Sequence, residues 1–296
     1  MRARGKAAEG PAAWIRVLPV VVAAALAAAG CAAGGPGYGL PRTGGPGREL
    51  RLALREWSGF PVSAARRPVV LVGPAVLGPG GALSAAAKTA FLRADIRAPR
   101  AFPPGPGAAD GYPLIGARRA FRAFGAGPAP VPAARADLAV TGVRLGAAAF
   151  WTDRGKERLP AWLFAFRGVG GTAAVLAVAP PATWSPVRRS VPGSATGWSA
   201  RLGPDGRTLT VRFFGAPSGT GPCTATYHLL AASSPAAVAV AVRTRMHYGG
   251  GVTCAAVGVP VRVTTVLPAP LGARVLVDAA DGAPIPVLVM ARRPLA

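Results

Sequence analysis

The chain has 296 residues, 51% of them hydrophobic, with 34 Lys+Arg against 11 Asp+Glu and a net charge of +23. That length and apolar content exclude a disordered chain and provide for one large or two modest domains with real cores. Forty Gly and 32 Pro interrupt long helices and favour short strands joined by turns.

The N-terminus carries Arg2, Arg4, Lys6 and Arg16 against Glu9, then the apolar run VLPVVVAAALAAA at 17–29, then Gly30-Cys31. A basic segment, a short apolar segment and small residues describe a secretory signal peptide, and the run is shorter than the roughly 20 residues a spanning helix needs. A cysteine directly after small residues resembles a bacterial lipobox, with Ala28 standing where that motif usually has Leu and Leu26 two residues earlier. The resemblance implies cleavage before Cys31, diacylglycerol on its sulfur, and a lipidated N-terminus at the extracytoplasmic face of the cell membrane. Residues 1–30 are thus expected to be signal and 31–47, AAGGPGYGLPRTGGPG after the cysteine, a flexible Gly/Pro tether.

The body is expected to hold an α+β domain at 48–182, a linker at 183–205 and an antiparallel β domain at 206–296. ELRLALR (49–55) alternates Leu50, Leu52 and Leu54 and reads as a strand, and RPVVLVG (67–73) as a buried strand. LSAAAKTAFLRADI (83–96) reads as a helix capped by Ser84. The Pro/Gly-rich stretch 97–113 reads as loop. LIGARRAFRAF (114–124) places Leu114, Ala117, Phe121 and Phe124 on one helical face, with Gly125 as a stop.

From residue 137 the period becomes strand-like. DLAVTGVRLGAAAFWT (137–152) is one long or broken strand, TDRGKER (152–158) a polar connection, and AWLFAFRG (161–168) and TAAVLAVA (172–179) are strands joined at Gly168–Gly171. The C-terminal part reads as strands at 206–215, 223–232, 236–246, 259–268, 273–279 and 285–291, with a hairpin turn at Asp281-Gly282. The fold class is therefore mainly β with a small α+β part, antiparallel sheets, and two short helices in the N-terminal half.

With Cys31 lipidated, Cys223 and Cys254 remain, and an exported protein joins such a pair as a disulfide. A loop of that size contributes roughly 3 kcal/mol through unfolded-state entropy. The rival is a metal site, but there is no CxxC, and the histidines are only His228 and His247.

No catalytic constellation emerges, and no cofactor is implied. GxSxG is absent. Ser194 and Ser218 lie in turn-like sequence, and Ser84 with Lys88 is one residue longer than SxxK. His228 alternates within a strand, and His247 ends one. Asp153 and Glu157 share a loop, Asp278 and Asp281 a hairpin, and turn chemistry accounts for them. Trp151 and Trp162 flank the 152–160 loop, where core packing is preferred to a sugar platform.

Removing residues 1–30 takes away Arg2, Arg4, Lys6 and Arg16 with Glu9 and leaves a net +20. Outside the cell such charge meets anionic lipids and wall polymers, and no nucleic-acid-binding motif is present. The arginines themselves read as scattered and solvated. TDRGKERLPAWLF, CTATYHLLAASSPAAVAVAV and LPAPLGARVLVDAADGAPIPV are similar to a group of uncharacterised actinobacterial lipoproteins. The helix-then-meander unit at 114–180 loosely resembles PepSY or cystatin-like modules. These resemblances imply location and architecture, not an activity. The expectation is a non-enzymatic envelope lipoprotein that binds an anionic wall polymer or another envelope protein. The alternatives are an envelope enzyme acting on a glycan or anionic wall substrate, and a solute-binding protein.

Overall fold

The computed structural model describes residues 46–81, 83–126, 138–185, 197–255 and 257–289. Cys31, the signal segment, the tether up to residue 45 and Ser194 lie outside them. No helix among the described residues is long and apolar enough to cross a membrane.

The first element corrects the reading of 49–55: α1 (Pro46–Glu56) is a helix, the third beside the two expected. The three leucines fit either period, but Leu50, Ala53, Leu54 and Trp57 recur at i, i+3, i+4 and i+7. Glu49 in the first turn and Arg55 in the last suit the helix dipole. The apolar stripe has a sheet to cover, because Leu50, Ala53 and Trp57 pack with Ala237, Ala239, Ala241, Val275 and Val277.

Segment 67–73 forms no ladder strand. It is extended and makes single bridges, Val69 to Thr183 and Leu71 to Thr152. Its alternation serves two cores at once: Val69 enters one apolar cluster and Val70 another.

The N-terminal sheet contains β1 (Val76–Leu77), β2 (Ile96–Arg97), β5 (Leu138–Thr152), β6 (Gly155–Phe166) and β7 (Thr172–Leu176), in the order β1-β7-β6-β5-β2. The short pair β3 (Ala108–Ala109) and β4 (Tyr112–Pro113) interrupts the expected loop at 97–113. Two helices cover one face. Helix α2 (Ala85–Leu92) is capped by Ser84, whose hydroxyl accepts from the Ala87 N–H, as the sequence indicates. Helix α3 (Ala117–Arg122) continues into a 3-10 turn at Ala123–Ala126, so Gly125 lies within that turn rather than stopping the helix. Phe91, Phe121, Phe124, Phe164 and Phe166 meet there largely edge-to-face, with ring centroids 5.1 to 6.3 Å apart. The other face buries Phe150, Leu159, Ala161 and Leu163 against Val69 and Leu71. AWLFAF is a continuous apolar run because β6 is buried on both sides.

The expected connection 152–158 is largely strand. β5 and β6 pair as far as Thr152 and Gly155, leaving only Asp153-Arg154 as the turn. Gly155 has φ +92°, a backbone conformation that favours glycine whatever the space beside it.

The C-terminal part is layered. β8 (Ser199–Leu202), β9 (Thr208–Gly215), β12 (Val259–Val266) and β14 (Val287–Val289) form a sheet ordered β12-β9-β8-β14. β10 (Thr224–Ser233), β11 (Ala237–His247) and β13 (Val275–Asp278) form a second. Leu209, Val211, Phe213 and Val261 from the first face Leu229, Val238, Val240 and Leu276 from the second. Helix α1 covers the outer side of the second sheet. Both sheets are mixed: β13 runs parallel to β11 and β14 parallel to β8. The Asp281-Gly282 turn exists, with Gly282 at φ +73° and its N–H donating to the Asp278 carbonyl at 2.9 Å. It makes a single bridge, Val277 to Pro284, after which β14 leaves for the other sheet.

Candidate functional site

The outer face of the β12-β9-β8-β14 sheet concentrates polar chemistry. Alternation along β9 turns Leu209, Val211 and Phe213 inward, which puts Thr208, Thr210, Arg212 and Phe214 on the other side. Register then aligns two rows across the strands. Ser199, Arg212 and Arg262 form one; Leu288, Arg201, Thr210 and Thr264 form the next. Arg201, Arg212 and Arg262 are all exposed. The Thr210 and Thr264 hydroxyls hydrogen-bond each other at 2.9 Å. Together with the 202–205 turn, Ser199, Arg201, Thr210, Arg212, Arg262 and Leu288 line a concave cleft of about 690 Å³, with Thr264 beside it.

The end of the cleft is set by Asp205. Its Oδ1 accepts from the Arg207 and Thr208 N–H groups at 3.0 and 2.9 Å, and its Oδ2 from the Thr208 hydroxyl at 2.6 Å. The Thr208 hydroxyl, then the Thr208 and Arg207 amides, hold this exposed carboxyl down to about 2. A depressed folded-state value stabilises the turn above the unfolded carboxyl's ordinary 3.8, and that contribution is lost as pH falls toward 2. An NMR titration is expected to place the Asp205 midpoint near 2, and Thr208→Val to raise it. A midpoint at the ordinary aspartate value would contradict the capped geometry.

A second cavity, of about 400 Å³, is lined from the N-terminal half and includes Arg66, Arg67, Asp153, Arg154, Glu157 and Tyr112. Asp153 is 1% exposed. Arg67 grips it with both terminal guanidinium nitrogens, one of them 3.0 Å from Oδ1. The Arg154 Nε lies 3.7 Å from Oδ2. The remaining donors run to the C-terminal half: Arg67 Nε to the Ala273 carbonyl at 2.9 Å, and Arg154 to the Gly272 and Arg274 carbonyls at 2.8 Å each. Burial lowers the pKa of the Arg154 guanidinium, an effect Asp153 opposes and Arg67 reinforces. Arg66 lies over the Tyr112 ring at 4.5 Å. These groups are spent on holding backbone, and the arrangement is a structural junction.

The other expected site residues separate. His228 is exposed opposite Arg243, and His247 Nε2 shares a 2.8 Å hydrogen bond with the Thr226 hydroxyl. Ser84 is a helix cap, and Ser218 makes a single bridge to Ala225. No group of three His, Cys, Asp or Glu able to hold a metal exists among the described residues. Asp153 and Glu157 are not loop partners: Asp153 occupies the turn and Glu157 lies in β6 opposite Phe150. Trp151 and Trp162 are not a pair either. Trp151 is 46% exposed opposite Lys156, whereas Trp162 is buried and donates to the Ile115 carbonyl at 2.8 Å.

The disulfide is present. Cys223, just before β10, is bonded to Cys254 in the loop after β11, with Cα atoms 5.3 Å apart. It ties that loop back to the sheet. The arginine rows were missed in the sequence because Arg201, Arg212 and Arg262 are far apart along it; the strict alternation of TLTVRFF and VPVRVTTV was the available signal. Compared with protein families, curated proteins and solved structures, the chain matches none.

Proposed function

We propose that this protein is a cell-envelope lipoprotein, held by a lipid on Cys31 at the extracytoplasmic face of the cytoplasmic membrane. There it acts as a non-enzymatic binding or scaffold protein. The observation that carries the reading is the Cys223–Cys254 disulfide. Thiols are kept reduced in most cytosols, and a structural disulfide belongs to an oxidising compartment. The sequence at 2–31 supplies the matching export and anchoring features. The exposed arginine face offers a surface for an anionic partner of the envelope.

The test is the intact mass of the protein extracted from native membranes, with and without reductant. The expected mass is that of residues 31–296 plus diacylglycerol, with or without further acylation of the new N-terminus, two hydrogens lighter before reduction. An unlipidated chain cut elsewhere, or one with free thiols at 223 and 254, would overturn the anchor and the compartment together.

A further inference from the structure

Arg212 and Arg262 stand directly opposite each other on β9 and β12. Like charges in that position destabilise a strand pair. Among the described residues neither guanidinium has an ion-pair, hydrogen-bond or aromatic partner. A third, Arg201, lies one strand over and one row along, opposite Thr210. Folding has thus set three cations on one concave face, where the facing Arg212–Arg262 pair by itself gains nothing from its proximity.

We infer that this face binds a polyol-phosphate polymer, its phosphodiesters seated on Arg212, Arg262 and Arg201. Guanidinium groups bind phosphate oxygens in forked pairs, and two of them flanking one phosphate turn the repulsion into shared attraction. The rows match a polymer rather than a lone ion. Side chains on one face recur about every 7 Å along a strand, so the arginine row is followed by the Thr210–Thr264 row, with hydroxyls placed for the polyol. Beyond the arginines on the other side lie Phe214 and Pro260, an apolar surface for its carbons.

Two other polyanionic surfaces fit less well. A membrane wants its apolar contacts grouped. Phe214 (67% exposed) and Val266 (64%) instead sit at opposite ends of the face, with the arginine and threonine rows between them. Single-stranded nucleic acid wants successive aromatic platforms, and Phe214 is the one aromatic on this face among the described residues. Asp205 lies at the turn end, its oxygens engaged by Arg207 and Thr208.

This inference rests on the envelope reading only for where such a polymer is met. The assay needs no cell: the full chain, purified in detergent, is titrated calorimetrically with a synthetic glycerol-phosphate oligomer. Saturable binding that weakens with added salt is expected. Arg212→Ser with Arg262→Ser is expected to lower affinity about tenfold or more while leaving the thermal midpoint unchanged or raised, since a like-charge pair is removed. Arg119→Ser with Arg122→Ser, the same charge change on exposed positions of α3, is expected to leave affinity within about twofold, because α3 takes no part in lining the cleft and exposed charges outside the contact are weakened by salt. Equal losses in both double variants would reduce the effect to bulk charge and overturn the site. Complete displacement by soluble short-chain phosphatidylglycerol at matched phosphate concentration would assign the face to lipid headgroups and overturn the polymer. Absence of binding would overturn the inference and leave the anchor untouched, since the mass measurement tests the anchor separately.

Discussion

Asp153→Ala is expected to destabilise the protein by about 3–5 kcal/mol, the range for removing one partner of a buried ion pair. Domains are stable by only about 5–15 kcal/mol, so the variant should lose a substantial share of its stability. The side chain of Asp153 is 2% exposed and that of Arg67 21%. Deleting the carboxylate leaves Arg67 and Arg154 as neighbouring, partly buried cations, with Glu157 the carboxylate that still acts on Arg154. The damage extends beyond the pair, because both arginines bridge to carbonyls at 272–274 and the Asp153 carbonyl accepts from the Val287 N–H. Arg67→Ala should cost less, since its partner can still turn to Arg154. Urea denaturation checks both. A midpoint change worth under about 1 kcal/mol for Asp153→Ala would show that the junction is incidental to stability, as many exposed pairs are.

Breaking the Cys223–Cys254 bridge is expected to lower stability by about 3 kcal/mol, mostly through the freedom returned to the unfolded chain. The residues are 31 apart in sequence, and the segment between β11 and Cys254 carries exposed Tyr248 and Val252, so little packing replaces the covalent tie there. Cys223 also sits at φ +61°, where a β-carbon is unfavourable. The Cys223→Gly, Cys254→Ser double variant should therefore be more stable than Cys223→Ser, Cys254→Ser, by roughly the 1 kcal/mol that glycine recovers there. Thermal unfolding with and without reductant measures the first effect, and comparison of the two double variants the second. Coincident oxidised and reduced curves would mean that the loop is held by other contacts.

Where chemistry is local, the sequence determined the outcome. The Ser84 cap, the β10–β11 hairpin at Ser234, the positive-φ Gly282 and the inward alternation of Leu209, Val211 and Phe213 each follow from a few neighbouring residues. The cysteine pairing followed from there being two candidates once Cys31 was assigned to the anchor. The tertiary structure decided what local pattern leaves open. ELRLALR suits a strand or a helix; it is a helix because Leu50, Ala53 and Trp57 then share a stripe that the far end of the chain, at Ala237–Ala241 and Val275–Val277, covers. TDRGKER is polar enough for a loop, yet Asp153 is buried because Arg67, 86 positions away, neutralises it. The arginines at 201, 212 and 262 read singly as solvated charges. Only strand register, which depends on which strands pair, brings them onto one face. Periodicity and turn chemistry are properties of a short segment, whereas burial of a charge and adjacency of strands are properties of the partners that the whole chain brings to it.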